Sequence, residues 1–150
     1  MNGDKRVLFL CTGNYYRSRY AEEIFNHQAR IDGLAWIAFS RGVAERGSPD
    51  NVGPISPFAM EALQTKGIRA EGAARNPVPC TLVDFGGAEL VVALKEAEHR
   101  PMIERRFPDI VNRIEYWDVD DIEFVDPATA LSRIDELVAR LIRNLQAKPR

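Results

Sequence analysis

The residues best equipped for chemistry lie in one short stretch, CTGNYYRSR, which runs from Cys11 to Arg19. Cys11 closes an apolar, β-rich run, KRVLFLC (Lys5 to Cys11), and faces the predicted start of a helix. There the unpaired backbone N–H groups and the helix dipole stabilise negative charge, which favours a thiolate able to attack phosphorus. Arg17 offers a planar fork of donors to two phosphate oxygens, a match that lysine lacks. Gly13 lets the backbone approach an anion closely, and Asn14 tolerates the positive φ that tight anion-binding loops adopt. Ser18, just inside the helix, is placed to donate a hydrogen bond to the sulfur. Cysteine and arginine at this spacing recur by chance, and the plain alternative is a buried strand-end cysteine beside a helix-start arginine. The setting, strand before and amphipathic helix after, favours a phosphate loop.

Elements that position such a loop are readable on both sides of it. Four β-rich runs stand out: Lys5 to Cys11, Ala35 to Arg41, Glu89 to Leu94 and Arg113 to Trp117. The first and third are nearly continuous in hydrophobicity, as strands covered on both faces are. Helical patterns lie between them. Ser18 to Ile31 puts Ala21, Ile24, Phe25 and Gln28 on one face and stops at Gly33, and Phe58 to Lys66 stops at Gly67. The last helix carries a stripe of Leu131, Ile134, Leu137, Val138, Leu141, Ile142 and Leu145, which is core contact. Strands alternating with helices predict an α/β fold: a single three-layer domain over residues 1–150, with a four-stranded parallel sheet and helices on both faces. Gly42 to Pro57 reads as a long surface loop, a common place for function.

Composition narrows the function. Hydrophobic residues make up 45% and charged residues 28%, which fits a globular chain. A net charge of −2 and the lack of a basic stripe argue against a nucleic-acid or membrane partner. Without an export signal the expected compartment is the cytoplasm, where Cys11 and Cys80 would stay reduced. His27 and His99 are isolated and no cluster has metal-ligand spacing, so neither metal nor cofactor is expected. A monomer or weak dimer is the expected state.

The stretch VLFLCTGNYYRSRYAEEIF resembles the opening strand, loop and helix of the low-molecular-weight protein tyrosine phosphatase family, which also includes thioredoxin-coupled arsenate reductases. Looser similarity continues through AFSRG, the helix ending KGI, ELVVALKEAE and WDVDD. The resemblance implies a metal-free, two-step hydrolysis of a phosphorylated protein or a small aryl phosphate. Cys11 would be the nucleophile, Arg17 the clamp, and Thr12, Gly13, Asn14, Tyr15, Tyr16 and Ser18 the phosphate and substrate loop. Ser40, ending the second strand, would brace Asn14.

The proton donor has three candidates. Family members commonly end the acid loop in Asp-Pro, which points to Asp126-Pro127, yet Asp and Pro there also make a standard helix start. Asp121 better matches the family spacing to the last helix and the W-x-V-x-D pattern. Asp120 is the third candidate, and Asp118 sits too close to the strand end.

Several positions depart from the family pattern. Tyr16 stands where many members carry a second loop cysteine, so an oxidised Cys11 lacks a neighbouring thiol. The arsenate-reducing branch needs an additional cysteine pair that the lone Cys80 does not supply; Cys80 reads as a half-buried small residue. Gly72 and Lys95 fall where a polar histidine and an acidic residue are frequent. Ile122, Glu123 and Phe124 follow Asp121 in place of tyrosines; Tyr15 and Tyr16 are candidates to stack on an aryl ring, or Tyr16 simply fills the missing cysteine's space. Arg46 is either a contact for an acidic substrate flank or a solvated charge. Phosphotyrosine-type hydrolysis is the leading expectation; arsenate reduction and a silent phosphate-binding module are the alternatives.

Overall fold

A computed structural model describes residues 4–45, 51 and 53–147. Four strands, β1 (Lys5–Cys11), β2 (Trp36–Gly42), β3 (Leu90–Ala93) and β4 (Glu115–Tyr116), form one sheet in the order β2-β1-β3-β4. Every pairing is parallel, with Lys5 opposite Trp36, Val7 opposite Leu90 and Val92 opposite Glu115. Crossovers run through α1 (Arg17–Asp32), α2 (Pro57–Thr65), α3 (Leu82–Gly86) and α4 (Glu96–Arg106), and α5 (Pro127–Ala147) closes the chain. This is the expected α/β architecture. No described helix is long and apolar enough to cross a membrane.

Alternation along β1 builds two cores. Val7, Phe9 and Cys11 face α1, α2 and α5, while Leu8 and Leu10 face α3 and α4 through Phe85, Ile103 and Phe107. Side chains on successive strand residues point to opposite faces, so a central strand buried on both sides must be apolar throughout. The predicted α5 stripe is buried at all seven positions.

Local chemistry explains the boundaries. Gly33 takes the left-handed conformation (φ 67°) and its N–H returns to Ala29 and Arg30, ending α1. Ser56 caps α2, with Pro57 in its first turn. Asp126 caps α5 by accepting the Thr129 N–H at 2.8 Å.

Three expectations need correction. The fourth strand is only two residues long, because Val111–Arg113 forms a 3-10 turn and the chain leaves the sheet edge after Tyr116. The α1 face includes Ala29 rather than Gln28, and its first turns bury Arg17, Arg19 and Glu23, so charge and not only apolar spacing sets that face. The Gly42–Pro57 stretch is not all surface: Gly42 belongs to β2, and Val43, Ile55 and Ser56 are buried.

Candidate active site

The carboxyl end of β1, beside a strand on each side, is where ligands bind in open α/β sheets. Residues 11–17 turn there into α1. Asn14 has φ 52°, and its fully buried side chain uses all its hydrogen-bonding capacity. Its Nδ2 donates to Ser18 Oγ and Ser40 Oγ, both at 2.9 Å, and its Oδ1 accepts from Arg75 Nη1 and the Val78 N–H, both at 3.0 Å. Ser40 in turn donates to Glu22 at 2.6 Å. The expected Ser40 brace is present, and Arg75, which the sequence did not reveal, completes it.

Two further features pin the loop. A Cβ on Gly42 would lie 2.9 Å from the Thr12 carbonyl and 3.1 Å from Gly13, so only glycine lets β2 come this close. Arg19, 1% exposed, donates to the carbonyls of Asn14, Pro54, Gly72 and Arg75. Burial and the nearby Arg75 charge pull its pKa down to about 10.

Cys11 Sγ lies 2.9 Å from Ser18 Oγ and 3.4 Å from the Ser18 N–H, so the hydroxyl and the helix N-terminus converge on sulfur. Cys11, Tyr16, Arg17 and Asp121 line one cavity of about 370 Å³ with Thr12, Gly13, Tyr15, Asn51, Glu123 and the helix-start residues Ser56 to Phe58. Phe58 and Ile122 are exposed at its mouth. A larger groove of about 700 Å³ runs along β4 and α5 and includes neither Cys11 nor Arg17.

The three acid candidates separate cleanly. Asp121 alone lines the cavity, with Oδ2 3.5 Å from Arg17 Nη2. Asp120 pairs with Lys95 at 2.9 Å, and Asp118 bonds the same ammonium. Asp126 is spent on its cap, and the Thr129 hydrogen bonds hold its carboxyl below the ordinary range. Arg46 lies outside the described residues.

Arg17 is 2% exposed and held by partners the sequence did not disclose. Its Nη1 donates to Glu98 Oε1 at 3.0 Å and to the Val119 carbonyl at 2.9 Å, and Nη2 donates to Glu98 Oε2 at 2.7 Å. A guanidinium has five N–H donors. These contacts use both on Nη1 and one on Nη2. The Nε–H and the second Nη2–H remain, and they lie parallel on one edge: a single fork for an oxyanion. Lys95, at the position expected to be acidic, leaves that task to Glu98 one turn into α4.

His99 is not the isolated side chain the sequence implied; it is fully buried. Its Nδ1 accepts the Lys95 N–H at 3.0 Å, so the neutral ring carries its hydrogen on Nε2. That nitrogen lies 3.1 Å from Thr12 Oγ1 and 3.2 Å from Glu98, and the Thr12 hydroxyl donates to Glu98. Burial would raise the Glu98 pKa, but hydrogen bonds from His99, Arg17 and Thr12 hold it well below the carboxylate range. Burial pushes His99 down, and the Arg17 charge adds to this against the pull of Glu98.

Both depressed groups contribute stability that is full above their unfolded pKa and is lost as pH falls. Unfolding free energy is therefore expected to decline below pH 6.5, the ordinary value of histidine, and further below 4.5, that of Glu98. In urea titrations at stepped pH, His99→Gln should flatten the upper part of that decline. An unchanged slope in the variant would contradict this.

Cys80 is buried on the opposite side of the sheet, beyond Gly42 from Cys11. Two steps of about 4.8 Å put the cysteine backbones farther apart than the ~7 Å limit for a disulfide. Burial pushes the Cys80 thiol up to about 12.

A parallel α/β sheet whose first strand ends in Cys11, with Arg17 opening the helix that follows, brings both side chains to one cavity. The chain belongs to the low molecular weight phosphotyrosine protein phosphatase family, whose model matches residues 6–148. It is 29% identical to the low molecular weight protein tyrosine phosphatase of T. tengcongensis, with a TM-score of 0.79 over 95% of this chain and 100% of that one. It is 30% identical over 121 residues to a Brevibacillus brevis arsenate reductase, covering 81% of this chain and 79% of the relative. It is also 36% identical over 103 residues to a Bacillus subtilis protein-arginine-phosphatase, covering 67% and 62%. The family is one of phosphatases, and its fold is the four-stranded sheet described above.

Proposed function

We propose that the protein hydrolyses phosphomonoesters through a cysteinyl-phosphate intermediate, with protein phosphotyrosine or a similar aryl phosphate as substrate. The Cys11 thiolate attacks phosphorus, the bond to the leaving oxygen breaks, and Asp121 gives that oxygen its proton. Water then attacks the phosphocysteine, returning a proton to Asp121, and the S–P bond breaks to release phosphate and thiolate. Arg17 and the loop N–H groups hold the equatorial oxygens throughout. The observation that carries this reading is that Cys11, Arg17 and Asp121 line one cavity. Tyr15, Phe58 and Ile122 around it suit an aromatic ring. The thiolate needs a reducing compartment, which the cytoplasm provides.

Phosphoarginine is a second reading. It draws on the similarity to the protein-arginine-phosphatase and on Glu123, whose carboxylate beside Asp121 suits a cationic leaving group. Arsenate reduction is weakened by the position of Cys80 in the core on the other face of the sheet, from which it could not bridge to Cys11 without backbone movement.

Asp121→Asn should lower kcat/KM for phenyl phosphate about 100-fold, the scale of a lost general acid, and spare 4-nitrophenyl phosphate, whose leaving oxygen needs little protonation. Equal losses on the two substrates would overturn the acid assignment. Peptides carrying phosphotyrosine and phosphoarginine, compared in parallel, decide the substrate: higher kcat/KM on phosphoarginine would replace the first reading with the second.

A further inference from the structure

Tyr16 has the only buried side-chain oxygen or nitrogen among the described residues that lacks a hydrogen-bond partner. The residue is 7% exposed, packs in the core formed with α1 and α5, and lines the cavity. A phenyl ring would fill the same space without an unsatisfied hydroxyl, which is costly when buried. The hydroxyl therefore does nothing for the unliganded protein that phenylalanine would not do better.

Its surroundings identify the missing acceptor. Charged groups acting on the phenol are Asp121 and Asp126 from the segment before α5 and Arg17 from α1, with Tyr20 one turn along. Burial and then the Asp121 carboxylate push Tyr16 up to about 12, so at neutral pH the hydroxyl is a donor. Asp126 already accepts two hydrogen bonds from Thr129, and the Tyr20 hydroxyl is given to Asp135 at 2.8 Å. Asp121 is the acceptor with capacity to spare. Its Oδ1 takes the Ile122 N–H at 2.8 Å, while Oδ2 has only the 3.5 Å approach to Arg17.

That approach does not survive substrate binding, because a phosphoryl group takes the open edge of Arg17 and repels a carboxylate. We propose that Tyr16 is a positioning residue for Asp121: once phosphate occupies the Arg17 fork, Oδ2 leaves the guanidinium and accepts the Tyr16 hydroxyl hydrogen, which holds the other oxygen toward the leaving group. The carboxyl proton is then carried on Oδ1, the oxygen that faces the leaving atom, after releasing the Ile122 N–H. In the hydrolysis step the same hydrogen bond steadies the ionised carboxylate beside the phosphocysteine. The inference rests on Asp121 as the acid.

Tyr16→Phe tests this through a split that a packing role would not produce. The free variant should be at least as stable as wild type to urea, while kcat/KM for phenyl phosphate falls about 10- to 100-fold, the range for a hydrogen bond to a charged group. In an Asp121→Asn background the Tyr16→Phe effect should shrink to within about 2-fold, the signature of coupled residues. Wild-type turnover by Tyr16→Phe, a marked loss of stability, or an undiminished effect in the double variant would each overturn the proposal. If Asp121→Asn alone leaves phenyl phosphate turnover intact, the acid assignment fails and this proposal fails with it. A defective Asp121→Asn beside a fully active Tyr16→Phe overturns the role of Tyr16 only.

Discussion

Cys11→Ser is expected to lower kcat for any aryl phosphate by roughly four to six orders of magnitude, the scale on which loss of a covalent nucleophile acts. Sulfur sits at the end of β1, 2.9 Å from the Ser18 hydroxyl and 3.4 Å from the Ser18 N–H at the start of α1. A serine hydroxyl ionises far above the working range and would stay protonated there, so the setting that serves a thiolate does nothing for an alcohol. Ground-state binding should survive, because Arg17 and the loop N–H groups are untouched. Steady-state turnover of 4-nitrophenyl phosphate and calorimetric titration with inorganic phosphate check the two halves. Activity above about 1% of wild type would mean that the nucleophile lies elsewhere, because a catalytic group removed outright leaves only binding and electrostatic terms.

The features legible in the sequence are those encoded over short distances. The apolar run Lys5 to Cys11 became β1 with the same bounds, and the α5 stripe is buried throughout. Asn14 and Gly33 adopt the left-handed backbone their types allow. Asp126 was readable as a cap because a cap is a matter of three residues. What stayed hidden depends on chain crossings. Glu98 meets Arg17 across 81 positions, and Arg75 meets Asn14 across 61. No local pattern distinguishes a half-buried, Arg17-paired acid at Glu98 from the solvated charges of Glu96 and Glu104 on the same helix. His99 looked idle for the same reason: its meaning lies in Thr12, on another element. The β4 length was overread because the apolar character of Ile114 and Trp117 serves the two cores and not the sheet edge.

These long-range partners give the second large prediction its content. Arg17→Lys is expected to lower kcat/KM for aryl phosphates by about 100- to 1,000-fold, in line with loss of a preorganised charge clamp. It should also destabilise the protein by about 3 kcal/mol, the cost of breaking a buried charge pair. Lysine keeps the charge but has three donors on one atom, and they cannot be shared among Glu98, the Val119 carbonyl and a phosphate. If the ammonium stays on Glu98, the phosphate loses its clamp; if it turns to the phosphate, a half-buried carboxylate and a buried carbonyl lose their donors. Denaturant titration and kcat/KM therefore move together, and saturating phosphate should recover less stability in the variant than in wild type. A variant with wild-type stability and a mere few-fold kinetic loss would show that the Glu98 pairing is not what shapes the fork. The double change Arg17→Lys, Glu98→Gln separates the two demands: it removes the competing carboxylate, and it should restore stability more than turnover, because a single ammonium still cannot reproduce the two parallel donors that the guanidinium presents to phosphate.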